Sequence, residues 1–388
     1  MSRTLLFDDM DKYPRDDMDK YPRDDMDKYP PIISPETYTN LILFKNKIDN
    51  LDNNKVWDRA KKLSNDYELI HLPNKKNKKN SIALYEPLSR SYFKMWEMIH
   101  EFDLLNISDP VNILCLAEGP GGFIEAIVNS RNKTEDTIYG ITLKSTDKDI
   151  PGWKKSRNFL KNNENVVITY GADGTGNLYN LENIKYLKNT VKKAFLITAD
   201  GGFDFSLDFN NQESLSYRII LCEIVTALAI QQNGGNFVCK IFDIYTIVTA
   251  RLIYILTMYY DQIFITKPLT SRPANSEKYI ICKGFKGIND VGLDNLYDII
   301  GKWDLNIGND LLNNIIIPNN FMIKLNSYNE YITNIQIDNI KQTLYIIENE
   351  ENISNITKII ETQKIKAVSW CNNYKIAVNT QSSYITGM

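Results

Sequence analysis

Residues 262–285 read QIFITKPLTSRPANSEKYIICKGF, which is two apolar runs joined by a polar loop. We predict strands over QIFITKP (262–268) and KYIICKGF (278–285). The loop between them is too short to hold the crossover helix that parallel neighbours need, so the two strands are predicted to be antiparallel. An ordinary turn stiffened by Pro268 and Pro273 would also be polar, so its composition alone does not assign the loop a function.

Upstream of this pair, apolar strands alternate with helices. The predicted strands are VNILCLA (111–117), TIYGITL (137–143), NVVITYG (165–171), AFLITAD (194–200) and NFVCKIFD (236–243). Helices are predicted over 216–235, ended by Gly234 and Gly235, and over 244–260. Continuous apolar strands separated by helices indicate a mostly parallel sheet with helices on both faces. With one reversed strand near its edge, this is the usual plan of S-adenosylmethionine (SAM) methyltransferases, a Rossmann-like α/β fold.

The segments outside this alternation add extensions at both ends. Residues 8–31 hold three near-identical copies of DDMDKYP, which contain too little apolar surface to fold. The lysine-rich turn NKKNKKN (74–80) either contacts phosphate groups or is simply solvated. We predict four parts: a disordered acidic tail (1–35), a helical N-terminal segment (36–107), a core (108–290) and a mostly helical C-terminal extension (291–388).

The composition excludes several classes of protein. The chain has 388 residues, 43% hydrophobic and 24% charged, with a formal net charge of -3. These values are typical of a soluble globular protein and argue against broad, non-specific coating of nucleic acid. Five cysteines without CxxC spacing and two histidines argue against a disulfide framework and a zinc site, and favour a reducing, intracellular compartment.

No membrane partner is expected from the sequence. The amino terminus is acidic and repetitive, unlike a secretory signal. The most apolar stretch, 244–260, is interrupted by Arg251 and is shorter than the roughly 20 residues of a membrane span. Asn, Ile, Lys and Tyr are abundant, as in proteins from AT-rich genomes, which suggests a large DNA virus or a protist as the source.

Polar groups cluster where the predicted strands end. Ligands of open α/β sheets bind beyond the carboxyl ends of the strands. Each group alone has an ordinary explanation, such as a helix cap or an edge strand. Their convergence on one edge predicts a shared site formed by AEGPGGF (117–123), Asp173 in ADGTG, Asp200 in ADGGF, Lys240, Glu277, and Lys94 in SRSYFKMWE (89–97).

These motifs carry a family resemblance over about residues 85–287. SRSYFK, GPGGF, ADGGF, GGNFVCKIFD and KPLTSRPANSEKYIICKGF resemble the FtsJ-like RNA 2′-O-methyltransferases, and the last three are most similar to the cap-specific mRNA enzymes that convert cap 0 to cap 1. The resemblance implies a K-D-K-E catalytic tetrad of Lys94, Asp200, Lys240 and Glu277, with SAM as cofactor and no metal. The implied SAM-binding residues are Ser89, Ala117, Glu118, Gly119, Pro120, Gly121, Gly122, Phe123 and Asp173. The implied substrate-binding residues are Glu213, Ser214, Arg272 and Asn275.

Two features depart from the family's pattern. The second strand of the core ends in Leu143 and Lys144, where many SAM enzymes carry an acidic residue that holds the ribose, so the ribose contact stays unassigned. Cys115 replaces an Asp that is common in the bacterial enzymes.

The implied reaction needs help from a base, because a ribose 2′-OH is a weak nucleophile at neutral pH. Our hypothesis is that Lys240 takes the proton, while Lys94 stabilises developing charge and the two carboxylates orient the lysines. A free lysine titrates near about 10.4. Desolvation and Lys94 lower the pKa of Lys240, whereas Asp200 and Glu277 raise it, and the sequence does not decide between them.

Three functions remain open at this stage. The first is 2′-O-methylation of the first transcribed nucleotide of capped mRNA. The others are the same chemistry on ribosomal or transfer RNA, and a non-catalytic RNA-binding subunit of a capping complex. The expected partners are capped mRNA and other capping or transcription proteins. The expected location is the nucleus or the cytoplasm, including a viral factory or virion.

Overall fold

The computed structural model of the chain describes residues 3–7, 31–51, 54–72, 80–147, 150–202, 211–303, 312–349 and 353–386. The DDMDKYP repeats and residues 74–79 of the lysine-rich turn lie outside the described residues.

The core is one eight-stranded sheet whose strands are ordered β1-β7-β8-β6-β5-β2-β3-β4. Strands β2 to β6 pair in parallel. Strand β8 runs antiparallel to both of its neighbours, β6 and β7, as the short loop between β7 and β8 predicts. The strands span β1 Thr4–Phe7, β2 Asn112–Leu116, β3 Thr137–Ile141, β4 Val166–Thr169, β5 Ala194–Ala199, β6 Gln231–Ile241, β7 Tyr260–Thr266 and β8 Lys278–Phe285.

Strand β1 was not predicted. It pairs antiparallel with the outer edge of β7, with Thr4 opposite Thr266, and so adds a second reversed strand. The prediction of a disordered tail over 1–35 is therefore wrong for Thr4–Phe7. It is also wrong for Ile32 and Ile33, which are buried just before the first helix. Four residues beside an acidic repeat carry too short a pattern to indicate a strand.

Helices cover both faces of the sheet, as predicted. One face packs against α6 to α10 and the other against α3, α4 and α11. The described helices span α1 Pro35–Asp49, α2 Asn54–Leu63, α3 Ser91–Phe102, α4 Gly122–Arg131, α5 Arg157–Asn162, α6 Leu181–Thr190, α7 Gln212–Ile230, α8 Ile247–Tyr259, α9 Asp290–Lys302, α10 Asn319–Glu348, α11 Ile353–Asn373 and α12 Ser383–Thr386. None of the helices in the described ranges is both long and apolar enough to cross a membrane.

The end of α7 differs from the prediction. The helix ends at Ile230, and Gly234 and Gly235 lie inside β6, not in a helix stop. The pairing register of β5 and β6 shifts in this region. The side-chain amide of Gln231 donates to the carbonyls of Phe195 and Asn236, so side-chain hydrogen bonds join the two strands where their backbone register is irregular.

The two extensions pack on each other and on the core. Helix α10 contacts α1 and α2, and α11 contacts a short 3₁₀ turn at Glu68–Ile70. Ala83 forms a β-bridge with Val378 close to the carboxyl end of the chain. The C-terminal extension therefore covers the N-terminal segment that leads into α3.

Candidate active site

The four predicted tetrad residues meet at the carboxyl edge of the sheet. Asp200 follows β5 directly, and Glu277 directly precedes β8. Lys240 lies near the end of β6, opposite Tyr279 in the β6–β8 register. Lys94 comes from the first turns of α3. The structure thus brings together side chains from four separate elements of the chain.

Lys94 and Glu277 form one ion pair. The Lys94 Nζ donates to both carboxylate oxygens of Glu277 at 2.9 Å, and the side chains are only 13% and 16% exposed. Burial alone would raise the pKa of Glu277, but the cations Lys94 and Lys240 outweigh it and lower the pKa to about 2. Glu277 is therefore a fixed anion between two lysines.

Lys240 and Asp200 form the second pair. The Lys240 Nζ donates to the Asp200 backbone carbonyl at 2.6 Å and lies 3.2 Å from Asp200 Oδ1. The Tyr279 hydroxyl donates to the same Oδ1 at 3.1 Å. Burial alone would lower the pKa of Lys240, but Asp200 and Glu277 outweigh it and raise the pKa. Lys240 consequently holds its proton at neutral pH in this structure.

Hydrogen bonds between its own polar groups fix the loop between β7 and β8. Ser271 donates to Glu277 Oε1 at 2.9 Å. The buried Lys267 donates to the carbonyls of Asn275 and Glu277 at 2.6 and 2.7 Å. Burial lowers the pKa of Lys267 to about 7. These contacts hold the backbone on both sides of the Glu277 side chain.

The glycine-rich turn 117–123 leads from β2 into α4. Gly121 has φ +105°, in the left-handed region that favours glycine, and Gly122 is so closely packed that a Cβ there would lie 2.2 Å from the hydroxyls of Ser89 and Ser91. Glu118 is buried: its Oε1 accepts from the Phe123 amide at 2.6 Å, while Oε2 has no hydrogen-bond partner among the described residues. Burial, followed by Asp200, raises the pKa of Glu118 well above its ordinary value.

Asp173 lies after β4, at the predicted edge. Its carboxylate accepts from Thr175, Asn180 and Asn183 at 2.7 to 2.9 Å. These hydrogen bonds hold the pKa of Asp173 well below its usual range. The residue is exposed, and it fixes the turn around ADGTG with the same oxygens that were expected to contact the cofactor.

Glu213 is buried and binds groups of its own chain. Its buried carboxylate accepts from the amides of Tyr245 and Thr246 and from the hydroxyls of Thr246 and Thr249, at the first turn of α8. Both oxygens of Glu213 thus cap a helix in this structure, and substrate binding by Glu213 stays a prediction.

The other three predicted substrate residues have different settings. Ser214 is exposed and donates to the carbonyl of Asn211 at 3.1 Å. Asn275 is exposed in the β7–β8 loop. Arg272 donates through Nε and Nη2 to both oxygens of the buried Glu68, at 3.1 and 2.8 Å, so it ties the loop to the N-terminal segment.

Sequence reasoning missed three residues of the site: Lys267, Tyr279 and Glu68. Lys267 and Tyr279 lie ten residues before and two residues after the predicted Glu277, and strand alternation could have placed Tyr279 on a buried face of β8. Glu68 carried no signal, because its partner Arg272 lies 204 positions away along the chain.

Comparisons with known proteins agree on the class of domain. A family model described as "FtsJ-like methyltransferase" matches residues 87–285. Two relatives carry the name "Cap-specific mRNA (nucleoside-2'-O-)-methyltransferase 1". The protein from Mus musculus is 31% identical over 328 residues, which is 76% of this chain and 36% of that protein. The protein from Dictyostelium discoideum is 32% identical over 369 residues, which is 88% of this chain and 43% of that protein.

The chain therefore spans less than half the length of these curated relatives. Both are eukaryotic, and they give no support to the viral source suggested by composition. Among solved structures, a putative ribosomal RNA methyltransferase from Plasmodium falciparum is 21% identical, with a TM-score of 0.39. The match covers 52% of this chain and 99% of that chain.

Proposed function

Because this chain belongs to the FtsJ-like methyltransferase family, we propose that it methylates the ribose 2′-OH of the first transcribed nucleotide of capped mRNA, with SAM as the methyl donor. The observation that carries the proposal is the pair of lysine–carboxylate contacts, Lys94 with Glu277 and Lys240 with Asp200, at one edge of the sheet. Two lysines held by two carboxylates suit a reaction that removes a proton from a hydroxyl and stabilises the resulting oxygen.

The glycine-rich turn fits SAM. The supporting observation is Glu118 at the start of the turn that leads into α4: its Oε2 is buried and finds no partner in the described part of the chain. SAM, when bound, supplies a methyl group on a cationic sulfonium. We propose that the turn 117–123 and Ser89 hold it, since Gly121 and Gly122 let the backbone approach a ligand closely. Asp173 would act by fixing the neighbouring turn.

Lys240 is the proposed general base. In its neutral form, Nζ accepts the proton of the 2′-OH, while the Asp200 carbonyl and carboxylate fix the direction of the amine. Because Asp200 and Glu277 raise the pKa of Lys240, the neutral form is a minority at pH 7, and the rate is expected to rise as the pH rises. Lys94 is the cation that stabilises charge on the reacting oxygen, and Glu277 holds it in place.

The cap target is proposed from the names of the relatives, which are cap-specific mRNA enzymes. Exposed Ser214 and Asn275 are proposed to face the RNA. The proposed location is the nucleus or the cytoplasm, where capped mRNA is made and used. We propose the division of the chain into a helical N-terminal segment, a core over 108–290 and a C-terminal extension, with strand β1 added to the core sheet.

Methyl transfer from labelled SAM to two RNAs of one sequence tests the proposal. One RNA has a cap 0 end and the other a triphosphate end, and the products are digested to nucleosides to locate the label. We expect label on the 2′-oxygen of the first nucleotide, in the capped RNA only. Equal label on both RNAs, or label at internal positions, would assign the chain to general RNA 2′-O-methylation. No label on either, with RNA binding retained, would indicate a non-catalytic subunit.

A further inference from the structure

Glu97 lies on α3, three residues after Lys94, and it is only 1% exposed. Residues spaced by three share one face of a helix, so Glu97 points toward the same loop as Lys94. Its Oε1 accepts from the Leu269 amide at 2.5 Å. Its Oε2 accepts from the Thr270 amide at 3.2 Å and the Thr270 hydroxyl at 3.0 Å. A single buried carboxylate therefore binds two consecutive residues of the β7–β8 loop.

Together with the Lys94–Glu277 ion pair, this contact links α3 to the β7–β8 loop at two places. Helix α3 carries Lys94, which holds Glu277 at 2.9 Å. From Glu277 the loop runs back through Ser271, which donates to the Glu277 carboxylate, to Thr270 and the Glu97 carboxylate on the same helix. The position of Glu277 relative to Lys94 is thus set at two points along α3.

The C-terminal extension reaches the same carboxylate. Trp370 of α11 is 1% exposed, and its indole Nε1 donates to Glu97 Oε2 at 3.1 Å. Its ring meets Phe93 edge-on at 5.7 Å between centroids. One turn later, the Tyr374 carbonyl accepts from the Trp96 indole at 2.9 Å. The extension therefore contacts Phe93, Trp96 and Glu97 of α3.

We propose that Glu97 is a positioning residue for the Lys94–Glu277 pair. We also propose that the C-terminal extension, through Trp370, helps to orient the β7–β8 loop that carries Glu277. The inference rests on the proposed methyltransferase function for its kinetic readout. Its structural readout is independent of that function.

The geometry favours positioning over simple filling of the core. All four groups that point at Glu97 are donors, and a carboxylate is the side chain of this size that can accept from all of them. Burial raises the pKa of Glu97 to about 7, although hydrogen bonds from Leu269, Trp370 and Thr270 oppose the rise. At pH 8 the Glu97 carboxylate is mostly ionised and can accept from all of these donors, so the measurements are made at that pH.

The principal variant is Glu97→Gln in the full chain. The amide keeps the volume but presents an NH₂ group to donors on one side, so the loop or Trp370 must move. We expect kcat to fall about 10- to 100-fold, because a displacement of about 1 Å at a reacting group has an effect of this size. The KM for SAM should stay within about twofold of wild type, since the glycine-rich turn makes none of these contacts. Each enzyme is assayed well below its own Tm.

Hydrogen exchange by mass spectrometry on the peptide covering 267–277 is the second readout. We expect faster exchange at the Leu269 and Thr270 amides in Glu97→Gln. The control is Glu101→Gln, at an exposed acid one turn further along α3, which should match wild type in kinetics and exchange. The second variant, Trp370→Phe, keeps an aromatic ring and removes the indole donor, and it should lower kcat about 3- to 10-fold with the same direction of exchange.

The outcomes separate the two proposals. Wild-type kcat and wild-type loop exchange in Glu97→Gln would overturn the positioning role, as would a kcat loss matched by Glu101→Gln. If Glu97→Gln does not fold, Trp370→Phe decides: unchanged kcat and unchanged loop exchange overturn the role of the extension. If wild type itself transfers no methyl group to any RNA, the proposed function fails, and the exchange of the 267–277 peptide still decides the positioning role.

Discussion

Replacing Glu277 by glutamine removes the anion that lies between Lys94 and Lys240. The two lysines lower the pKa of Glu277 from the ordinary 4.5 to about 2, against a burial effect of opposite sign. A shift of this size corresponds to about 3 kcal/mol of folding free energy, and the side chain is only 16% exposed, so solvent screens little of it. We expect Glu277→Gln to lower the free energy of unfolding at pH 7 by about 3 kcal/mol.

The pH dependence has a definite sign. A carboxyl whose pKa is lower in the folded state adds stability that is fully present above the unfolded pKa and is lost as the pH falls through the folded pKa. For Glu277 that window runs from about 4.5 down to about 2. The difference in stability between wild type and Glu277→Gln should therefore be constant from pH 5 to 7 and shrink as the pH falls to 2.

Urea unfolding followed by tryptophan fluorescence measures this difference at each pH. The matched control is Glu182→Gln, which breaks the exposed pair with Lys185 on α6 and should change stability by less than about 1 kcal/mol. A difference below about 1 kcal/mol at pH 7 for Glu277→Gln would refute the electrostatic argument. So would a difference that stays the same down to pH 3.

Two other variants test the proposed site. Lys240→Arg keeps the charge but cannot deprotonate, so kcat should fall at least about 100-fold. The rise of the rate between pH 7 and 9, which is expected for wild type, should be lost, and substantial activity of the variant in a pH-rate assay would exclude the general-base role. Gly122→Ala places a Cβ 2.2 Å from the hydroxyls of Ser89 and Ser91, so calorimetry should show SAM binding weakened at least about tenfold. Gly301→Ala is the control, since a Cβ there meets nothing within 4 Å, and equal SAM affinity in both alanine variants would contradict the assignment of the turn.

The sheet was predictable where the chain carries strong local patterns. The strand KYIICKGF begins and ends at the predicted residues, and its antiparallel pairing follows from the length of one loop. Strand β1 was not predictable, because TLLF becomes a strand only through the free edge of β7, which lies about 260 residues away. The early end of α7 likewise depends on tertiary contacts of Gln231, which no propensity of Gly234 or Gly235 reveals.

The residues of the candidate site also include some that the sequence could predict and some that it could not. Asp200 and Lys240 could be predicted as neighbours because the carboxyl ends of parallel strands meet at one edge of a sheet. Glu277 joins them because β8 starts at that edge, and Lys94, on α3, was assigned to the group through the family resemblance. For Glu213 the sequence does not show whether the carboxylate faces a ligand or caps a helix, and the structure shows that it caps α8.

The charge state of Lys240 is a property of the whole buried cluster. Asp200 and Glu277 raise its pKa, and the buried Glu223 of α7 acts in the same direction. Burial raises the pKa of Glu223 to about 8, so at neutral pH this acid is mostly protonated and adds little negative charge beside Lys240. Above pH 8 it ionises and holds the lysine proton more tightly. The rise of the rate with pH is therefore expected to be shallower above pH 8, where Glu223 is ionised, than below it.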